Sequence, residues 1–191
     1  MSAPIVRLPA SAPDRLAAAL QAVLRQAKPA GGSALPTVDS LRQGAEQTLR
    51  AETKDSKAAG AFQSLLELGY IVASADGLAD SEREALAKLL ELATGSAIDH
   101  DTMTLHFRDL DASVEMLGRR ERLRRVTAGL ADLAATNEAV GFAALVALAD
   151  GELGAPEMQA LLELGDGLGL PAADVRSVVD DVVARVRKEL R

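Results

Sequence analysis

The 191-residue sequence contains no cysteine and no tryptophan, one tyrosine and three phenylalanines. Without cysteine there can be no disulfide, no thiolate metal site and no Cys nucleophile, which agrees with a reducing compartment. Aromatics at 2% leave little to stack on the bases of single-stranded nucleic acid. They also leave the core to Ala, Leu and Val. No apolar run is long enough to span a bilayer. The opening stretch "MSAPIVRLPASAPDRL" lacks the basic start and long apolar centre of a secretory signal. A cytoplasmic protein is expected, with membrane contact at most peripheral.

What is present is a globular composition, 48% apolar, with a net charge of −7. The charge is uneven: residues 1–60 carry +3 and the remainder −10. An acidic body repels the phosphate backbone, so no nucleic-acid partner is expected.

Apolar spacing of helical type recurs along the chain, and no period-two alternation accompanies it. Pro4, Pro9 and Pro13 mark an extended tail over 1–13. A first helix is expected over about 14–28, with Leu16, Leu20, Val23, Leu24 and Ala27 on one face and Asp14 as its cap. "KPAGGSALP" (28–36) reads as a flexible break, and a less regular helix follows over about 39–52. The polar joint "ETKDSK" (52–57) sets the expected division, an N-terminal extension over 1–57 and a helical domain over 58–191. In that domain Ser81-x-x-Glu84 reads as a capping box opening a helix to about Ala93. One or two shorter helices are expected over 99–116, and another from the Arg-rich "RRERLRR" (119–125). Pro156 suits a first helical turn. "GDGLG" (165–169) reads as a C-cap and turn. The last helix places Val175, Val178, Val179, Val182, Val186 and Leu190 on one face. The expected fold is therefore an all-α bundle without a sheet.

One element occurs twice. "ASADGLADSERE" from Ala73 follows the apolar run "LLELGYIV", and "ALADGELGAPE" from Ala147 follows "VGFAALV". Placing Asp76 on Asp150 pairs Leu68 with Phe142, Ile71 with Leu145 and Val72 with Val146. This pattern points to two helix–turn–helix units around a pseudo-twofold axis, since two copies are too few for a solenoid. Glycine after a helix adopts the left-handed cap conformation readily. An Asp in the last turn, however, faces the negative end of the helix dipole at a cost of about 0.3–1 kcal/mol. Two readings account for it. Each Asp serves local turn chemistry, for which Asp-Gly is a common pair, or each meets a cation.

The stretch "VALADGELGAPEMQALLELGDGLGLPAADV" (146–175) resembles the helix–ADG–helix–GL–turn–helix signature of TerB-like domains. That family includes tellurite-resistance TerB proteins and the N-terminal region of the co-chaperone DjlA. "VASADGLADSEREALAKLLELA" (72–93) is similar to a first copy of the signature, with Arg83 where a Glu aligns. The resemblance covers about 60–190. It implies a helical bundle with an acidic metal-binding cluster and no catalytic activity. Carried over to this chain, the metal ligands are Asp76, Asp150, Glu157 and one of Glu82 or Glu84. With several carboxylates and no Cys, the divalent cations that fit are Ca²⁺, Mg²⁺ or Mn²⁺.

The other motifs are weaker. His100 and His106, at an i,i+6 spacing, fall on different helix faces and read as surface residues. "RRERLRR" reads as a solvated face with Glu115 and Glu121 nearby. The expected function is a non-enzymatic binding or adaptor module, in metal or oxyanion stress response. It would meet a protein partner or a second copy through residues 14–28. The rivals are a structural assembly or cargo protein docked by its N-terminal segment, and a metal-dependent hydrolase using the same carboxylates.

Overall fold

Helix follows helix from Pro13 onward: α1 (Pro13–Arg25), α2 (Val38–Leu49), α3 (Lys57–Ala73), α4 (Asp80–Ala93), α5 (His100–Leu117), α6 (Arg119–Leu130), α7 (Thr136–Ala147), α8 (Ala155–Gly167) and α9 (Ala172–Glu189). Two short strands, β1 (Val6–Arg7) and β2 (Glu152–Leu153), pair antiparallel. The computed structural model describes residues 5–10, 12–27, 34–50, 57–130 and 136–191. The fold is an all-α helical bundle.

Helices α3 and α7 form its centre because their sequences are apolar on nearly every side. Residues 65–73 of α3 and 139–147 of α7 are buried without interruption, as expected of a helix with no polar face. The two pack against each other. Gly69 lets them approach: a Cβ there would lie 3.1 Å from Val146 Cγ2. Each then ends in an Asp-Gly turn and leads into α4 or α8. Gly77 and Gly151 both take φ +94°, a backbone state that glycine adopts without strain. The two units are thus alike in structure as well as in sequence. The second turn is longer by one residue, and its extra length carries β2.

The helix ends show where local chemistry differs from expectation. α1 opens on Pro13 after Ala12, and Asp14 lies inside the first turn instead of capping it. Thr37 caps α2 by accepting a hydrogen bond from the Ser40 amide (3.1 Å). α4 begins at Asp80, so the expected Ser81–Glu84 box is displaced: Glu82 Oε2 accepts the Ala79 amide at 2.7 Å. Asp99 caps one continuous α5 through the Thr102 amide (2.8 Å). Pro156 sits in the first turn of α8 as expected. The chain turns after α8 with Gly169 at φ +74° and the Leu170 amide donating to Gly165 O at 2.8 Å.

The expected linker and domain joint fall largely on residues 28–33 and 51–56, outside the described residues. The helices flanking them are integral to the core. α2 packs on α3, and α1 packs between α4 and α9. Leu16, Leu20, Val23 and Leu24 of α1 are buried, each contributing roughly 1.5–3 kcal/mol by burial. Arg15 donates to Leu190 O (2.6 Å), and Gln26 donates to Glu189 (3.0 Å). The apolar stripe expected to meet a partner or a second copy thus lies within the bundle. A helix this short is marginal alone in water, and its stripe closes on the chain's own bundle. The extended tail is also more structured than expected. The Ile5 amide donates to Leu153 O and the Leu8 amide to Gly151 O, both at 2.8 Å, so the tail is paired to the second turn.

Candidate functional site

The two Asp-Gly turns open onto one cleft of about 770 Å³. Asp76 and Glu82 line it from the first unit, and Asp150, Glu152 and Glu157 from the second. Apolar residues including Leu78, Leu86, Val146 and Ala147 line it with them, and among the described residues no Lys or Arg does. Of the expected set, Asp76, Asp150 and Glu157 therefore share one space with Glu82. Glu84 does not: it is exposed on α4 and lies outside the lining. The choice between Glu82 and Glu84 falls to Glu82, because Glu82 and Glu157 occupy the same place in their units. Each is the third residue of its helix, and each reaches back to the amide just before it.

Three of the carboxylates are tethered to the backbone. Glu82 accepts from Ala79, Glu157 Oε2 from Gly154 (2.6 Å), and Asp150 Oδ1 from Glu152 (2.9 Å). Asp150 is thus partly explained by turn chemistry. Asp76 is not, since no hydrogen bond reaches its side chain among the described residues. The two units converge at Gly154. A Cβ there would lie 3.5 Å from Glu157 Oε2 and 3.8 Å from Asp76 Oδ2.

Burial and crowding set the electrostatics. Glu157 is only 6% exposed, and burial pushes its carboxyl up to about 8. Asp150, Asp76 and Glu82 reinforce the rise, while the Gly154 amide opposes it. Burial likewise raises Asp150, opposed by the Glu152 amide and assisted by Glu82 and Glu152. These are the marks of like charges gathered around one buried carboxyl, Glu157. Among the described residues, Glu152 alone of the five has an ion-pair partner, Arg7 at 2.7 Å on the rim.

The carboxylates do not form a ready metal cage. Among the described residues, no three His, Asp or Glu side chains are grouped so as to hold a metal ion. His100 and His106 lie elsewhere, on α5. Burial lowers the pKa of His106, against the pull of Glu67 and Asp109.

The Arg-rich segment is only partly a solvated face. Glu121 does pair with Arg124 and Arg125 (both 2.8 Å). Two other arginines turn inward. Arg122 makes a bidentate pair with Glu67, which is only 9% exposed in α3. Arg119 donates to Ala75 O at 2.9 Å and so pins the backbone next to Asp76. Arg83 binds the Tyr70 hydroxyl and Asp111 Oδ2 (2.9 Å), and Tyr70 donates to Asp111 Oδ1 at 2.6 Å. This network ties α3, α4 and α5 behind the first turn. The sequence signals were a Glu and a Tyr inside an apolar run, both of which need partners when buried. Glu152 was legible as a third acid beside Asp150.

No helix among the described residues is long and apolar enough to cross a membrane. Comparison of the chain with protein-family models, curated proteins and solved structures gives no match.

Proposed function

We propose that the protein is a non-enzymatic binding module whose acidic cleft receives a positively charged ligand. The observation that carries this reading is the cleft itself, which, among the described residues, five carboxylates line and no basic residue does. A cation relieves their mutual repulsion and returns to Glu157 the charge that burial suppresses. The apolar lining favours an organic cation with an aliphatic body. Such a group spreads its contacts over several atoms and meets the carboxylates where their tethers hold them. The TerB-like resemblance supports a divalent cation, and with it a place in metal or oxyanion stress response.

Thermal melting tests the reading, with Ca²⁺, Mg²⁺, Mn²⁺ and spermidine as separate probes. A ligand at a hundredfold excess over its dissociation constant stabilises the fold by about 2.7 kcal/mol. The midpoint should rise with at least one probe. The rise should disappear in Asp76→Asn with Asp150→Asn and survive in Glu84→Gln. A midpoint indifferent to all four probes would reduce the cleft to turn chemistry.

A further inference from the structure

A second cavity, of about 440 Å³, lies between α6 and α8. The two helices meet closely where α8 ends: a Cβ on Gly167 would lie 2.8 Å from Thr127 Oγ1, and Thr127 is buried. The preceding turns of each helix, around residues 120–124 and 159–163, wall a groove. By helical spacing, Gln159, Glu163 and Asp166 fall on the side of α8 away from Glu157. The groove is therefore separate from the acidic cleft, and no described residue lines both. Its walls differ in charge. α6 supplies Arg120 and Arg124, α8 supplies Glu163 and Asp166, and Leu123 and Leu162 add an apolar surface.

Among the described residues, no ion pair crosses this groove. Arg124 turns back to Glu121 on its own helix, with hydrogen bonds of 2.9 and 2.8 Å. The side chains of Arg120 and Asp166 have no partner among the described residues. Glu163 is the least satisfied: its Oε2 is shut off from solvent and accepts no hydrogen bond. Such an oxygen has lost its water without gaining a donor, a cost that a charged donor offsets. The neighbouring Gln159 is exposed and donates to Glu163 Oε1 over a long 3.3 Å, so a stronger donor can take its place at the carboxylate. An ion of either sign would satisfy one wall and leave the other. A molecule that carries both charges around an aliphatic body satisfies both walls and the leucines. We propose that the α6–α8 groove binds a free amino acid with an aliphatic side chain. Its ammonium sits on Glu163, its carboxylate on the Arg120 guanidinium, whose planar fork matches it, and its side chain on Leu123 and Leu162. The volume falls within the range of small-molecule sites, about 300–1,000 Å³.

The test titrates the full chain with L-leucine and follows backbone amide shifts by NMR. N-acetyl-leucine, which lacks the ammonium, and leucinamide, which lacks the carboxylate, are the controls. The expected result is saturable shifts in residues 120–124 and 159–167 with leucine. Each control should bind at least about tenfold more weakly, since each loses a hydrogen bond between charged groups. Arg120→Gln and Glu163→Gln should each weaken leucine by a similar factor. Glu163→Gln should keep its melting midpoint, because Oε2 has no hydrogen bond to lose, and this separates lost binding from lost folding. Four outcomes overturn the proposal: no saturable shifts up to the solubility of leucine, a control that binds as well as leucine, shifts confined to the two Asp-Gly turns, or unchanged leucine affinity in both variants. A lowered melting midpoint in Arg120→Gln together with silence toward leucine would also overturn it, by showing that Arg120 and Glu163 close the groove on each other.

Discussion

Replacing Glu157 by Gln should make the protein more stable at alkaline pH, although Glu157 already holds a hydrogen bond. The folded chain lifts this carboxyl from its ordinary 4.5 to about 8. Between those values the folded state binds the proton and the unfolded state releases it. Stability therefore falls as pH rises through that window. At about 1.4 kcal/mol per tenfold, the full rise corresponds to roughly 4–5 kcal/mol. Coupling to Asp150 shares part of this between two groups, so the variant should recover roughly 3 kcal/mol. For a chain of this size that is about 6–12 °C in Tm. Gln keeps the amide oxygen that accepts from Gly154, and it has no proton to lose. Below pH 5 the two proteins should melt alike, because the wild-type carboxyl is neutral there. The assay is thermal melting from pH 5 to 9 in one buffer series without divalent ions. Parallel profiles for wild type and Glu157→Gln, or a less stable variant at pH 8.5, would refute the assignment of the repulsion to this residue.

Two further outcomes test the packing. A Cβ on Gly141 would lie 1.7 Å from Ala34 O, whereas one on Gly60 meets nothing within 4 Å. Gly141→Ala should cost roughly 1–3 kcal/mol or more in chemical denaturation, while Gly60→Ala should gain roughly 0.5–1 kcal/mol through helix propensity; similar effects of the two would contradict the close approach of residue 34 to α7. Leu24→Ala should destabilise the whole chain by roughly 2–5 kcal/mol in a single transition. A separate early transition, leaving the main unfolding midpoint unchanged, would show that α1 is not part of the common core.

The sequence by itself determined the helices and the two-unit pattern. Helical periodicity is a local property, and so are the Asp-Gly turns, whose glycines both lie at φ +94°. The runs "LLELGYIV" and "VGFAALV" were legible as the matched apolar helices before the two turns, and the structure puts them at the centre. Asp76, Asp150 and Glu157 were legible as a set because repetition marks them. Glu82 could not be separated from Glu84 by alignment, because the second turn is one residue longer and shifts the register past it. Only the structure shows which of the two heads the helix as Glu157 does.

Tertiary structure alone decided the rest. The apolar stripe of α1 looks the same in sequence whether it meets a partner or its own bundle. It is buried here because α4 and α9 offer a matching surface on the same chain. Arg119 and Arg122 read as solvated charges, and Arg83 only as a departure from the aligned Glu, yet each is turned toward a group that cannot be left unpaired: a turn carbonyl, the Glu67 carboxylate and the Tyr70 hydroxyl. The grouping of the acids around one cleft is likewise a product of packing. Sequence spacing fixes which face of a helix a residue occupies, but the distance between carboxylates on separate units depends on how closely their helices approach. In this chain that approach is set by Gly69 against Val146.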